Sequence, residues 1–288
     1  MDKIIHSSSK KPFFISGSNT SVEVWSDQRI PFEPKGWLKD LRTAIQDKIK
    51  SLSPHNSNFL YSKFVSSTRD TVDLDNVLFY NIGYSNFSHL PLNRIIMERS
   101  FVNPIPDPNN IQFPHYHLYS LEKNDLQIKS KKEVGKFTSI PISNLNSQKV
   151  DGIWYAIKKG NISTTNSDLY RKKFGIKITI SSPNLRLTTD VGMKRVIDGV
   201  IASFQAQNGY DDETSKRLAL NLGINKNQAN DMISDDTNAI LGKDNLLSAY
   251  RNGIKWNPAD DLLVSVDLNL KQRFDNLSTI NGQIYSVE

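Results

Sequence analysis

The stretch FGIKITISSP (174–183), followed after a short gap by TTDVGMKRVIDGVIASFQAQ (188–207), holds two periodicities side by side. In the first segment Ile176, Ile178 and Ile180 recur at every second residue, which places them on one side of an extended strand. In the second, Met193, Val196, Ile197, Val200, Ile201 and Phe204 recur at spacings of three and four, the apolar stripe of an amphipathic helix. Thr188-Thr189-Asp190 ahead of that stripe offers an N-cap. A strand running into a helix of this kind sets the expectation of an α+β protein, mixed sheets packed with helices.

Working outward, GIWYAIKK (152–159) is apolar with aromatics, and residues 212–222 and 226–233 read as two shorter helices. GIKWNPADD (253–261) reads as a turn, and LLVSVDLNLK (262–271) as the last strand, with Val264, Val266, Leu268 and Leu270 on one face. Toward the N-terminus, SVEVW (21–25) and NFLYSKFVSS (58–67) read as strands. Between them Trp37, Leu38, Leu41, Ile45, Ile49 and Leu52 mark a helix over 36–52, which SPHNSN breaks. From Pro91 to Lys149 the prolines at 91, 104, 106, 108, 114 and 141 predict long loops with a few edge strands, HYHLYSL (115–121) among them. The expected organisation is a loosely ordered tail over 1–20, an N-terminal half over 21–148 and a C-terminal half over 149–288. Both halves run strand, loop, strand and then an acidic motif, a parallel that suggests duplication.

The composition fits such a reading. At 288 residues the chain has room for two domains or one large one, and 38% hydrophobic residues suffice for a sizeable core. No apolar run approaches the ~18 residues that span a bilayer, and the N-terminus lacks the apolar segment of a secretory signal. Zero cysteines exclude disulfides and thiolate metal sites. The expected location is the cytoplasm. The formal charge of +6 permits a polyanionic partner without requiring one.

Three acidic motifs carry the chemical interest. Asp73 and Asp75, two apart in an extended segment, face together and suit a shared divalent cation; the bland alternative is a polar turn with Asn76 and Gly83. Asp190, Lys194 and Asp198, each four apart, line one helix face; the alternative is a cap followed by an ion pair in the weaker orientation. Asp260 and Asp261 stand at the mouth of a strand, where two adjacent carboxylates meet a cation or are simply solvated. Metal-assisted phosphodiester hydrolysis needs several carboxylates around Mg²⁺ together with a cation near the phosphate, and these motifs supply both. His115-Tyr116-His117 with Glu122 has the spacing of a cupin metal motif, but no histidine follows His117, which favours a structural strand. The four tryptophans read as core or interface residues.

The segments Ile176–Phe204 and Asp260–Lys271 resemble the RusA family of Holliday-junction resolvases. That family has a strand, a D-x-D-N-L-x-K-x-x-x-D motif opening a helix, and later an Asp-Asp pair opening a strand that ends in Lys. Asp190, Lys194 and Asp198 match the second aspartate, the lysine and the last aspartate, with Thr188 in place of the first aspartate and Val191 in place of the Asn. Asp260, Asp261 and Lys271 match the pair and the strand-end lysine. Asp73-Leu74-Asp75-Asn76 supplies the missing front half of the motif, but Phe79 and Gly83 then stand at its lysine and last aspartate. The family works as a homodimer of short chains, and two fused, diverged copies would have about this length.

The resemblance implies a Mg²⁺-dependent endonuclease for branched or structured DNA, working as a pseudo-dimer within one chain or as a homo-oligomer, with no membrane partner. It makes Asp190, Lys194, Asp198 and Asp261 catalytic, with Lys194 stabilising the phosphate transition state. Asp73, Asp75, Asp190, Asp260 and Asp261 become metal ligands, and Lys194, Arg195 and Lys271 DNA-binding residues. The rival expectation is a catalytically degenerate subunit that binds nucleic acid or protein partners in a larger complex, such as a bacterial anti-phage defence system.

Overall fold

A computed structural model of the chain describes residues 12–54, 59–68, 72–123, 126, 132–143, 145, 147–165, 167–183, 192–209, 211–273 and 277–287. The elements run β1 (Phe13–Gly17), β2 (Ser21–Ser26), α1 (Trp37–Lys50), β3 (Phe59–Ser66), β4 (Arg94–Ser100), β5 (His115–Glu122), β6 (Lys132–Pro141), α2 (Val150–Lys159), β7 (Ile162–Thr164) and β8 (Phe174–Ser182). They continue with α3 (Gly192–Ser203), β9 (Ala206–Gln207), α4 (Asp212–Leu222), α5 (Lys226–Ser234), β10 (Lys243–Asp244), β11 (Leu247–Tyr250), β12 (Gly253–Trp256), β13 (Leu263–Gln272) and β14 (Thr279–Ser286). Two helical turns, Asn76–Tyr80 and Tyr84–Phe87, lie between β3 and β4.

The α+β class is as the periodicities predict. One ten-stranded mixed sheet has the order β1-β2-β5-β3-β4-β13-β8-β14-β6-β7. Its apolar face packs against the helices in one continuous core, which includes Ile45 and Ile49 of α1, Ile153 and Ile157 of α2, and Val196, Ile197 and Val200 of α3. A second, smaller core lies under the segment between α3 and β13, where Trp154 and Ala202 meet Leu218, Ala229, Ile233 and Leu247.

The strand order is symmetric about the β4–β13 seam. β3 pairs parallel with β4, and β8 pairs parallel with β13. β5 lies antiparallel outside β3, and β14 antiparallel outside β8. β2 and β6 are antiparallel beyond them, and α1 and α2 follow β2 and β6 in the chain. β4 and β13 run antiparallel, as a two-fold axis between them requires. The seam is fastened by Arg94, whose Nε and Nη2 donate to the two carboxylate oxygens of buried Asp267 at 2.7 and 2.9 Å, a bidentate pair.

Several sequence expectations need correction. The proline-rich middle is not mainly loops: β4 is central and β5 is paired on both edges. The prolines sit in the connections, and β5 is buried because its alternate residues pack inward. β6 already belongs to the second half of the sheet, ahead of the 148/149 boundary. Part of the supposed tail is β1, paired with β2. β13 is not the last strand, since β14 follows it.

Candidate functional site

The sheet topology decides which acids can meet. Because β4 and β13 are antiparallel, the C-terminal ends of β3 and β4 lie at the same end of the sheet as the N-terminal starts of β13 and β8. The register shows it: Val65 pairs with Ser100, Glu98 with Ser265, and Leu263 with Phe174. The acidic segment after β3 in the first half therefore lies beside the acidic pair that precedes β13 in the second.

Locally, Asp75 is not in extended backbone, and the Asp73 carbonyl accepts from the Val77 N–H at 3.1 Å, the start of a helical turn. Asp75 has helical angles (φ −68°, ψ −33°) and leads into the π-helical turn Asn76–Tyr80. A widened turn of this kind is rare and recurs at functional sites. Val72, Leu74, Val77, Leu78 and Phe79 are buried around it and fix the direction of both carboxylates. Asn76 Nδ2 donates to Asp73 Oδ2, and the Tyr84 hydroxyl donates to Asp75 Oδ2 at 3.4 Å. On α3, Lys194 and Asp198 share a face as their spacing of four demands. Asp260 opens the 3₁₀ turn Asp260–Leu262 before β13.

These residues converge on the Lys194 ammonium. Its Nζ lies 3.3 Å from Asp260 Oδ2, 3.4 Å from Asp198 Oδ1, 3.6 Å from Asp75 Oδ1 and 3.7 Å from Asp73 Oδ2. Tight ammonium–carboxylate hydrogen bonds are about 2.7–2.9 Å long, so Lys194 is shared among four acids and closely paired with none. Asp75 is fully buried, and its Oδ1, aimed at this centre, has no hydrogen-bond partner. Among the described residues no three acidic or histidine side chains stand close enough together to hold a metal ion as they are. The ammonium occupies the ground between them.

The second cation is Arg99 at the C-terminal end of β4. It donates from Nη1 to the Val72 carbonyl and from Nη2 to the Asp261 carbonyl, fastening both acidic segments to one strand end. Its guanidinium covers the Phe101 ring at 4.9 Å. Burial pulls its pKa down, while Asp261, Asp73 and Asp260 hold its proton on. Sequence reading missed Arg99 because it missed β4, whose apolar run is only Ile95, Ile96 and Met97 before Glu98 and Arg99.

Two cations face five acids, and the imbalance appears in their proton affinities. Burial, then the neighbouring carboxylates acting against Lys194, pushes Asp198 up to about 7. The same causes push Asp260 up to about 8. Burial also raises Asp75. Burial alone would depress Lys194, but the four carboxylates outweigh it and hold its proton firmly. Near neutral pH the cluster thus takes up protons where a further cation would serve equally well.

Not every expected residue is here. Asp190, with Thr188 and Val191, lies outside the described residues. Asp261 contributes its carbonyl to Arg99, and Lys194 makes no contact with its carboxylate. Arg195 turns to the Gln148 carbonyl at 3.1 Å. Lys271 sits near the opposite end of β13, roughly 30 Å from the cluster at ~3.3 Å per residue; a strand-end lysine cannot serve an acid pair at the other end of the same strand. His117 is buried without hydrogen-bond partners, packs edge-on to Phe64 at 4.9 Å, and is held neutral by burial, with its pKa pushed down to about 3. His115 Nδ1 bonds to Ser66 Oγ at 3.1 Å.

No helix among the described residues is long and apolar enough to cross a membrane. The chain matches no family model, no curated protein and no solved structure.

Proposed function

We propose that the cluster of Asp73, Asp75, Asp198 and Asp260 around Lys194 is the active site of a Mg²⁺-dependent endonuclease related to the RusA resolvases, acting on branched or structured DNA. The observation that carries this reading is the convergence itself. Fragments of one motif, separated in the chain, come together at one end of one sheet, and the assembled set holds two aspartates, a lysine, a further aspartate and an acid from the strand start. The symmetric strand order supports a duplicated origin, with the β4–β13 seam in place of a dimer interface.

The donor set suits a hard cation, since every available ligand atom is a carboxylate oxygen. The buried Asp75 Oδ1 points the same way: it accepts no hydrogen bond and has only the shared Lys194 ammonium at 3.6 Å, and a closer cation would offset more of the cost of burying it. Asp73, Asp75, Asp198 and Asp260 would hold the ion. When bound, Mg²⁺ polarises a phosphoryl oxygen and lowers the pKa of attacking water. Lys194, which is shared among the four acids and closely paired with none, would neutralise the scissile phosphate. Arg99 keeps the two acidic segments in register.

The second reading is a degenerate, non-cleaving subunit that binds DNA or protein. The position of the Lys194 ammonium among the carboxylates favours it, because such a cluster neutralises part of its own charge. Incubation of the purified protein with labelled four-way junction, duplex and single-stranded DNA, with and without Mg²⁺ or Mn²⁺, separates the two. Metal-dependent incision that disappears in both Asp75→Asn and Asp260→Asn is expected. Binding without incision under every metal condition contradicts the nuclease and leaves the subunit.

A further inference from the structure

The connection between β2 and α1 meets the π-helical turn that follows Asp75 in a stacked aromatic pair at the surface. The rings of Phe32 and Tyr80 lie 5.1 Å apart and within 10° of parallel. Phe32 is 56% exposed and Tyr80 43%, so the pair is no part of the core. Nor does joining the two segments require it. Asn81 Nδ2 already donates to the Ile30 carbonyl at 2.9 Å, and the Ile30 side chain is buried. Two large rings left in water form a flat apolar face that a further ring can cover with a gain in free energy.

The pair stands in a fixed relation to the acidic cluster. Tyr80 closes the turn Asn76–Tyr80 that Asp75 caps. Its ring lies 6.4 Å from that of Tyr84, edge to face, and the Tyr84 hydroxyl donates to Asp75 Oδ2 at 3.4 Å. Tyr84 is buried, so the series Phe32, Tyr80, Tyr84 runs from solvent inward to the carboxylate. Two contacts separate Tyr80 from Asp75, the span of a few nucleotides at ~3.4 Å of rise each. A cation flanks the pair. Arg42 of α1 donates from Nη1 to the Phe32 carbonyl at 3.5 Å, and its Nε has no hydrogen-bond partner. A flat aromatic face with a guanidinium beside it matches a nucleobase and its phosphate.

We infer that Phe32 and Tyr80 form a stacking platform for an unpaired base of the DNA, a few nucleotides from the scissile phosphate. The choice of ligand rests on the nuclease reading above. A base within a duplex has both faces covered by its neighbours and has none to offer the platform, whereas an unpaired base at a branch, bulge or loop has one. Because every base carries a π-face, the platform selects unpaired structure and tolerates any sequence. The preferred substrate is therefore DNA with unpaired nucleotides at its branch point.

The test measures binding of the full-length protein, without metal, to three labelled probes: a duplex with a short adenine bulge, the same duplex with the bulge made of abasic nucleotides, and the fully paired duplex. The two bulged probes carry the same phosphates and differ only in the bases. By fluorescence anisotropy the wild type should bind the adenine bulge at least fivefold more tightly than the abasic one. Phe32→Leu and Tyr80→Leu keep apolar bulk at exposed positions and lose the ring, and each should bind the two bulges alike; Phe32→Tyr should keep the preference. Equal binding of the two bulges by the wild type, or a preference that survives in both leucine variants, overturns the platform. Incision of the same probes with Mn²⁺, compared with Asp75→Asn, is read separately. Incision without a preference for bases overturns the platform and leaves the nuclease reading standing. A ring-dependent preference without incision overturns the nuclease reading and leaves the platform as a binding site.

Discussion

The two halves of the sheet share a strand plan and differ in what they place at its ends. In the first half the segment after β3 keeps two aspartates and then fills the following turns with Phe79, Leu90 and other apolar residues. In the second half the segment ahead of β13 keeps its acids, and α3 carries the lysine. Neither half holds the whole charged cluster, and the seam between them brings the two partial sets together. The lesson is that one strand plan, repeated on either side of a seam, can present quite different side chains at its two ends.

The largest effect that can break this comparison is on activity. Asp75→Asn, from the first half, and Asp260→Asn, from the second, should each reduce metal-dependent incision by about 10³-fold, some 4 kcal/mol of barrier. Each variant should retain its fold by circular dichroism. An effect confined to one of the two would show that a single half suffices.

Next is the central cation. Lys194→Met leaves four inward-facing carboxylates without their ammonium, and removing one partner of a buried charge set costs about 3–5 kcal/mol. Urea denaturation at pH 8 should show that loss. Adding millimolar Mn²⁺ should restore more stability to the variant than to the wild type, because the ion takes the vacated place.

A smaller effect follows from proton affinity. Asp198 and Asp260 bind protons more tightly folded, at about 7 and about 8, than unfolded, at about 4. Their contribution is thus fully present below pH 4 and is lost as the pH rises through 7 and 8. Without metal, stability should fall by about 1–3 kcal/mol between pH 5 and pH 8.5, and saturating Mn²⁺ should flatten the curve. Thermal melts across that range check it, and a rise in stability with pH would contradict the charge account. The mildest case is Asp198→Asn, which removes one of the repelling charges. It should stabilise the metal-free protein at pH 8 by about 1 kcal/mol while impairing incision, the usual exchange of stability for function at an active site.

How much of this could be read from the sequence differs by element. α1 and α3 were legible because their apolar stripes are long and regular, β8 and β13 because their alternation is clean, and β3 through its aromatic residues. β14 was hidden by Asn281 and Gly282, which look like a turn. The glycine is there for packing, since a Cβ on it would collide with the Phe137 ring at 2.3 Å. β4 was masked by the prolines on either side. For the site, Lys194 with Asp198 is visible as a helical spacing, and Asp73 with Asp75 as a pair, although a helical turn and not a strand holds them. Their meeting depends on the antiparallel β4–β13 seam, a long-range pairing that no local pattern encodes. For the same reason the resemblance misplaced Lys271: it matched a position in the strand without fixing which end faces the acids.

The central claim is that acids from both halves form one cation site. A double-mutant cycle on Mn²⁺ affinity, followed by titration calorimetry on the wild type, Asp75→Asn, Asp260→Asn and the double variant, tests it most directly. The account predicts that each single substitution weakens binding at least tenfold and that the double variant is little weaker than either, because the two residues serve the same ion. Full additivity of the two losses, or undiminished binding in either single variant, would contradict it.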